Sequence, residues 1–215
     1  MVDVQKHSEQ GVKAMAGQTA EERERLLNGV DVDAVAGLID AVKDKPDLAE
    51  SKFRVSNAWI DGGHNRTTVS GFYTGGQEIS HTEPFILDAD EPPILAGQDQ
   101  GANPVEHLLN ALATWMTTTM VYHAAVRGIK LEEVESKFEG DIDLKGFLAI
   151  SDKVRPGYKE IRANFKVKTD IENVDRLKAL TRLSPVYDVV SKGTHVKVQI
   201  EKKWLREKNQ TLWCC

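Results

Sequence analysis

The chain is built around the segment NPVEHLLNALATWMTTTMVYHAAVRG, residues 103–128. Asn103 can cap a helix, Pro104 suits its first turn, and Gly128 is a natural stop beyond its end. At ~1.5 Å per residue, roughly 24 helical residues form a rod of about 36 Å, long enough to cross a whole domain. Apolar side chains recur at three- and four-residue steps, and small alanines occupy other positions. We therefore expect a core helix that is buried on several sides.

The composition is typical of a globular protein. Hydrophobic residues make up 40% of the 215 residues, which is enough for a sizeable core. Lys plus Arg number 28 against 33 Asp plus Glu, so the net charge of −5 gives no reason to expect nucleic acid or an anionic membrane as a partner. The N-terminal residues lack the apolar core of a signal peptide, and no later run is apolar enough to span a bilayer. We expect a cytoplasmic protein.

The residue pattern divides the chain into an extension, a main domain and a tail. Residues 1–17 are polar and aperiodic, which predicts a flexible arm. A capping box predicts a first short helix that ends at Leu27, and an apolar stripe predicts a second helix that stops before Pro46. Together the two helices form an N-terminal helical extension, residues 18–45. Residues 204–215 form a C-terminal tail.

The main domain, residues 52–203, combines strand and helix patterns. Glycine pairs separate three alternating segments before the central helix, which predicts an antiparallel meander. The predicted strands lie near residues 53–59, 67–73, 78–87, 134–142, 161–167 and 196–200, and the predicted helices lie at 103–128, 174–183 and 184–190. A loop or short strand is expected at 144–157. This order predicts an α+β domain with segregated layers.

Three segments of the main domain resemble the OsmC/Ohr family of stress-induced proteins. They are DEPPILAGQDQGANPVEHLLNALATWMTTTMVYHAAVRGI, VRPGYKEI and LSPVYDVVSKGTHVKVQI, and the resemblance covers roughly residues 52–201. It implies the fold of that family, an intertwined homodimer in which two antiparallel sheets surround two long central helices. The pattern of the central segment agrees, because a helix that is apolar on several sides needs more cover than one small sheet provides.

Family members of known activity reduce organic hydroperoxides with two cysteines, and both positions differ here. The cysteine in the middle of the central helix corresponds to Trp115, and the cysteine before the proline-containing turn of the second long helix corresponds to Ser184. The reaction needs a thiolate that attacks the O–O bond and a second thiol that condenses with the sulfenic acid. Neither an indole nor a hydroxyl performs these steps. Glu106 matches a family glutamate that helps to hold an arginine, for which Arg66 is the nearest candidate.

The resemblance therefore implies a divergent member that has lost the two-cysteine hydroperoxide reductase site and keeps a pocket at the dimer interface. The residues expected to line the pocket, besides Glu106, are Trp115, Met116, Thr119, His123 and Ser184. Their largely apolar character predicts a small hydrophobic or hydroperoxide-like ligand. No cofactor is expected, and the histidines show no spacing typical of a metal site.

Structural roles compete with these assignments. Trp115 can fill the cavity rather than line it, because an indole buries about 150–250 Å². Ser184 before a proline is typical of a helix cap, and Glu106 is typical of the acidic partner in a capping box. Arg66 in a turn region is typical of a solvated surface charge. His123 fits a hydrogen-bonded core histidine as well as an acid or base.

Cys214 and Cys215 are the only cysteines of the chain. They can serve as replacement redox thiols, as a soft metal site, as a lipidation signal, or as an accessory ending without chemistry. A disulfide between adjacent cysteines closes a strained ring and is easily reduced. Two alternatives to ligand binding follow: a hydroperoxide reductase that uses these two thiols, and a non-redox enzyme that uses Glu106 or His123 as acid or base.

Overall fold

The computed structural model describes residues 26–202, which form a mixed α and β fold. In chain order the elements are β1 (Leu26–Leu27), β2 (Val30–Asp31), α1 (Val32–Asp44), β3 (Lys52–Phe53), β4 (Ser56–Asp61), β5 (His64–Thr74), β6 (Gln77–Ala89), α2 (Pro104–Val126), β7 (Leu131–Asp141), α3 (Leu144–Phe147), β8 (Glu160–Thr169), α4 (Asp175–Thr181) and α5 (Pro185–Lys192). Every strand pair is antiparallel. The predicted α+β class is confirmed.

The central helix α2 begins and ends as its sequence predicts. Asn103 caps the first turn, and its own N–H donates to Glu106 Oε2 at 2.9 Å, which completes a capping box. At the other end, Gly128 adopts a left-handed φ of 69° and the Ile129 N–H donates to the carbonyl of Ala124 at 2.9 Å. These local bonds satisfy backbone groups that a helix leaves free at its ends.

One face of α2 carries the core of the C-terminal half. Helices α4 and α5 and the β7–β8 hairpin pack against this face. The buried core residues are Met120, Ala124, Ile129, Leu177 and Leu180, and partly buried Leu131, Val134, Phe165, Val167 and Ile171 pack around them. Burial of these apolar side chains is the main force that holds the helices to the hairpin.

The N-terminal sheet forms a separate layer. Strand β5 is its centre, with β6 on one edge and both β3 and β4 on the other. In the described part of the chain, the sheet does not pack extensively against α2. Large apolar side chains are exposed on it, namely Phe53, Val55, Trp59, Phe85, Ile86 and Leu87. Exposed apolar surface of this extent is typical of an interaction site.

The prediction of a first helix in the extension is wrong at the C-terminal end of that helix. Leu26–Leu27 pairs with Val30–Asp31 in a tight hairpin, and the earlier residues of that helix lie outside the described residues. Asn28 and Gly29 both have positive φ, 56° and 78°, as the two central residues of a hairpin turn of the primed type require. An Asn-Gly pair can end a helix or turn a hairpin, and here pairing of the flanking backbone selects the hairpin. The predicted second helix is confirmed as α1.

The predicted last strand is also wrong for the described chain. Residues 196–200 pair with no other strand within 26–202, and Val198 is 76% exposed. Alternating apolar residues favour an extended backbone, but a strand also needs a neighbouring backbone to accept its hydrogen bonds. Within 144–157, where a loop or short strand was expected, residues 144–147 form the short helix α3 and the remainder is loop.

Three predicted features lie outside the described residues: the arm at 1–17, the tail at 204–215, and Cys214 and Cys215 within that tail. Within 26–202, no helix combines the length and apolar character that crossing a membrane requires.

Candidate functional site

Two adjoining grooves open between α2, β8 and the C-terminal helices. The first groove, of about 460 Å³, is lined by residues that include Met116, Met120, Phe165, Leu177, Lys178 and Arg182. The second groove, of about 580 Å³, is lined by residues that include Leu108, Leu112, Met116, Tyr158, Ile161 and Val189. Met116, Ala163 and Tyr187 line both grooves, so the two meet beside the middle of α2. Both volumes are in the range of small-molecule sites.

The grooves follow from the periodicities of one helix and one strand. On α2, the lining residues recur every four positions and form one stripe: Leu108, Leu112, Met116 and Met120. On β8, they recur every two positions and form one face: Ile161, Ala163, Phe165 and Val167. Side chains at these spacings lie on the same side of a helix or a strand. The helix stripe and the strand face therefore give both grooves apolar walls.

Tyr158 closes the second groove at the start of α2. Its hydroxyl donates a hydrogen bond to the carbonyl of Val105 at 2.8 Å. Burial and the negative charge of Glu106 raise the pKa of Tyr158. Gly140 makes this position possible, because a Cβ there would lie 2.4 Å from the tyrosine ring. The phenol therefore stays protonated at neutral pH as a fixed donor at this end of the groove.

Ser184 acts as a helix cap, and its effect on the grooves is indirect. The residue is fully buried, and its Oγ accepts a hydrogen bond from the N–H of Tyr187 at 3.1 Å. Ser184 is not among the residues that line either groove, whereas Tyr187 lines both. The serine therefore orients the first turn of α5 and, through it, the tyrosine that faces the grooves.

Of the six predicted pocket residues, including Glu106, only Met116 lines the two grooves. Trp115 is 43% exposed and Thr119 is 6% exposed, and neither lines them. The Thr119 hydroxyl oxygen has no hydrogen-bond partner within the described residues. His123 does not line them either. In this chain Trp115 therefore neither lines nor fills the space beside Met116.

His123 is held as a neutral imidazole at the end of α2. Arg127 Nη1 donates to both the carbonyl oxygen and Nδ1 of His123, at 3.0 Å each. An arginine can only donate, so Nδ1 accepts. Burial and the positive charge of Arg127 lower the pKa of His123. His123 is therefore a hydrogen-bonded, partly buried histidine near the end of α2.

Arg66 and Glu106 bind different partners. Arg66 donates from Nε and Nη2 to the carboxylate of Asp88, at 2.9 and 3.2 Å. His64 Nε2 donates to the same carboxylate at 2.9 Å. The bonds from Arg66 and His64 lower the pKa of Asp88. Glu106 accepts from the Asn103 N–H, and the described residues contain no direct Arg66–Glu106 pair.

The lining contains residues that the sequence did not single out as a site. Tyr158 and Tyr187 lie in two of the segments that carry the family resemblance, so their positions could have been found there. Lys178 and Arg182 stand four positions apart, which indicates a shared helix face but no particular cavity. Ala163 lies on the alternating face of β8, which indicates a strand but no cavity. Strand β8 pairs with β7, which packs on α2, and this arrangement brings Ala163 into the lining.

Comparisons with known proteins agree with the fold. The family model described as OsmC-like protein matches residues 97–199. An OsmC-like protein from Mycoplasma pneumoniae has a similar structure, with a TM-score of 0.50 at 14% identity over 66% of this chain and 88% of that one. An osmotic stress induced and detoxification response protein from Psychrobacter arcticus gives a TM-score of 0.48 at 13% identity, over 65% and 88% of the two chains. No curated protein matches the sequence. Residues 97–199 therefore match the OsmC-like family model, and the chain has an OsmC-like fold.

Proposed function

We propose that this OsmC-like, stress-related protein binds a small hydrophobic ligand beside its central helix and does not reduce hydroperoxides. The observation that carries the proposal is the pair of apolar grooves that meet at Met116. The floor of these grooves belongs to the helix that holds the reactive thiol in active relatives. Burial of an apolar ligand against these walls releases water from both surfaces and favours binding.

The two positions that carry the family chemistry support the loss of peroxidase activity. Trp115 provides an indole and Ser184 a buried hydroxyl that already accepts a hydrogen bond. Residues 26–202 contain no cysteine, so this part of the chain has no thiolate to attack an O–O bond. The grooves then serve binding without a covalent step.

We further propose that the protein is a homodimer in which the second copy completes the ligand site. Leu108, Trp115 and Tyr122 follow one another at seven-residue steps along α2, and all three are partly exposed. Seven-residue spacing of large apolar side chains is typical of a helix that packs along another helix. The exposed apolar side chains of the N-terminal sheet support the same proposal.

Peroxide turnover tests the loss of the family activity. The assay mixes the full chain with cumene hydroperoxide and a dithiol reductant, and no metal is added. We expect no turnover above the background of the free dithiol. A parallel assay of the Cys214→Ser/Cys215→Ser variant identifies the source of any activity. Rapid turnover that disappears in this variant would overturn the proposal in favour of a peroxidase that uses the tail thiols.

Binding of nile red, an uncharged apolar fluorophore, tests ligand binding itself. Ala163 lines both grooves and is exposed, so Ala163→Phe fills their junction without placing a charge in the core. We expect saturable binding by the native chain and at least tenfold weaker binding by this variant. Ala36→Phe, the same change at an exposed site on α1, is the control and should bind as the native chain does. Equal binding by all three proteins would place the fluorophore elsewhere and contradict the assignment of the grooves.

A further inference from the structure

We propose that the first groove selects hydrocarbons with a carboxylate head group, which Lys178 and Arg182 bind. This inference rests on the proposed ligand-binding function and adds the chemical class of the ligand. The observation behind it is the position of two cations, without partners in residues 26–202, at an apolar groove. An amphipathic anion complements both features at once.

The apolar part of the first groove suits a hydrocarbon chain. Met116, Met120 and Leu177 are buried in the chain, yet each contributes to the groove lining. Phe165 and Val167 form the facing wall on β8. A small hydrophilic anion would leave these walls in contact with water, whereas an alkyl chain would cover them.

Lys178 lies on α4, and Arg182 is the residue that caps the C-terminal end of this helix. Lys178 and Arg182 are four positions apart, both are exposed, and both line the first groove. Like charges at this spacing repel each other, and an anion between them relieves that repulsion. The guanidinium group offers two parallel N–H donors that match the two oxygens of a carboxylate. The side chains of Asn164 and Tyr187 add neutral polar groups to the same lining.

Several other cations near the grooves already have carboxylate partners. Lys159 pairs with Asp143 at 3.2 Å, and Arg162 pairs with three carboxylates on β7 and β8. On α5, Lys192 pairs with Asp188. In contrast, the side chains of Lys178 and Arg182 form no ion pair or hydrogen bond within residues 26–202. Their positive charge is therefore uncompensated there, although the whole chain carries a net charge of −5.

The second groove lacks this charge pattern. Its lining includes the carboxylate of Glu160 as well as Arg155 and Lys159, and Lys159 is already paired with Asp143. Mixed charges give no general preference for an anion. The preference for a carboxylate is therefore assigned to the first groove.

Calorimetric titration with three head groups on the same alkyl chain tests the inference. The probes are dodecanoate and dodecyltrimethylammonium, each kept below its critical micelle concentration, and dodecanol, kept below its solubility limit. We expect the native chain to bind dodecanoate at least tenfold more tightly than dodecanol, and the cationic amphiphile most weakly. The preference for dodecanoate should shrink as sodium chloride is added, because salt screens exposed charges.

Two double variants locate the effect. Lys178→Met/Arg182→Met keeps apolar stems in the groove but removes both charges, so dodecanoate and dodecanol should bind equally. Lys153→Met/Arg176→Met also removes two exposed charges, one of them on α4, but neither residue lines the first groove. This control should keep the native preference. Nile red binding by each variant verifies that the groove is intact.

The outcomes separate the two proposals. If the native chain binds nile red but binds dodecanoate and dodecanol equally, the inference falls and hydrophobic ligand binding remains. If the control variant loses the preference as fully as Lys178→Met/Arg182→Met, the head group is bound through general surface charge and the inference also falls. If neither nile red nor any amphiphile binds, the groove is filled by a second copy or by another part of the chain, and both proposals fall.

Discussion

Thr119 and Asp90 are both buried polar residues, but only the side chain of Asp90 has hydrogen-bond partners within residues 26–202. The Asp90 carboxylate accepts from the backbone N–H groups of Glu91, Gln98 and Gln100 at 2.8, 3.1 and 3.2 Å. These bonds hold the loop that leads from β6 into α2. The Thr119 hydroxyl, in the middle of α2, has no such partner among the described residues. The two residues should therefore respond in opposite ways to the loss of their polar groups.

Thr119→Val should stabilise the described fold. Valine keeps the branched shape and removes a hydroxyl whose unsatisfied burial costs about 1–3 kcal/mol. We expect the free energy of unfolding by urea to rise by about 1–2 kcal/mol. Thr114→Val is the control, because the Thr114 hydroxyl is exposed and bonds to the Asn110 carbonyl at 2.9 Å. The Thr114→Val change should alter the free energy of unfolding by no more than about 0.5 kcal/mol. A loss of stability in Thr119→Val would show that this hydroxyl has a partner beyond the described residues.

Asp90 should make stability depend on pH in the acid range. Burial disfavours its charged form, but the three backbone N–H groups outweigh this and lower its pKa. A lowered pKa stabilises the fold above about pH 4, where an unfolded aspartate is ionised, and this contribution is lost as the pH falls through the folded value.

Asp90→Asn should therefore unfold at lower urea concentration than the native chain at pH 7. The difference should narrow as the pH is lowered from 5 to 3, because the native aspartate is then protonated as well. Asp99→Asn is a matched control in the same loop, since Asp99 is exposed and its carboxylate forms no bond within the described residues. A constant difference between Asp90→Asn and the native chain across this pH range would contradict the role of the charge.

The N-terminal hairpin is the element that ties the extension to the main domain. Asn28 Nδ2 donates to the carbonyl of Ile129 at 2.9 Å, and its Oδ1 accepts the N–H of Leu131 at 2.8 Å. Val30 is buried in the same hairpin. The amide side chain thus bonds to the backbone that connects α2 with β7, about a hundred positions away in the sequence.

Asn28→Ala should loosen this attachment. Two lost hydrogen bonds and a left-handed φ on alanine together predict a loss of about 1–3 kcal/mol in unfolding free energy. Asn28→Gly removes the same two bonds but accepts the turn conformation, so its loss should be smaller. Amide hydrogen exchange should show faster exchange at residues 26–31 in both variants. If the amides of residues 26–31 exchange as slowly in both variants as in the native chain, the hairpin is held by other contacts.

For the whole molecule, the exposed apolar surface of α2 and of the N-terminal sheet predicts assembly. Sedimentation equilibrium should give twice the chain mass of 23.9 kDa. Trp115→Glu places a charge within the seven-residue stripe and should shift the protein towards monomer, because an unpaired buried charge is costly. Asn110→Glu, at an exposed site on another face of α2, should leave the mass unchanged. A native protein that sediments as a monomer would refute the dimer and leave the sheet uncovered.

Local chemistry explains which features could be predicted from the residues. The capping box of α2, its glycine stop and the cap at Ser184 involve groups within about four positions of each other, so their geometry follows from short spacings. The strands β5 to β8 follow from alternation, and the family resemblance follows from the same segments. The Asn28-Gly29 turn could not be assigned, because its two possible structures differ only in what pairs with the flanking backbone.

The grooves and their charges depended on packing between distant segments. Met116, Ala163 and Lys178 carry no common motif, and they meet only because α4 and the β7–β8 pair both pack on one face of α2. Within residues 26–202, the lack of ion pairs at Lys178 and Arg182 likewise depends on which side chains the fold brings near them. Bonds between near neighbours follow from the order of residues, whereas a cavity and its net charge exist only after remote elements have been brought together.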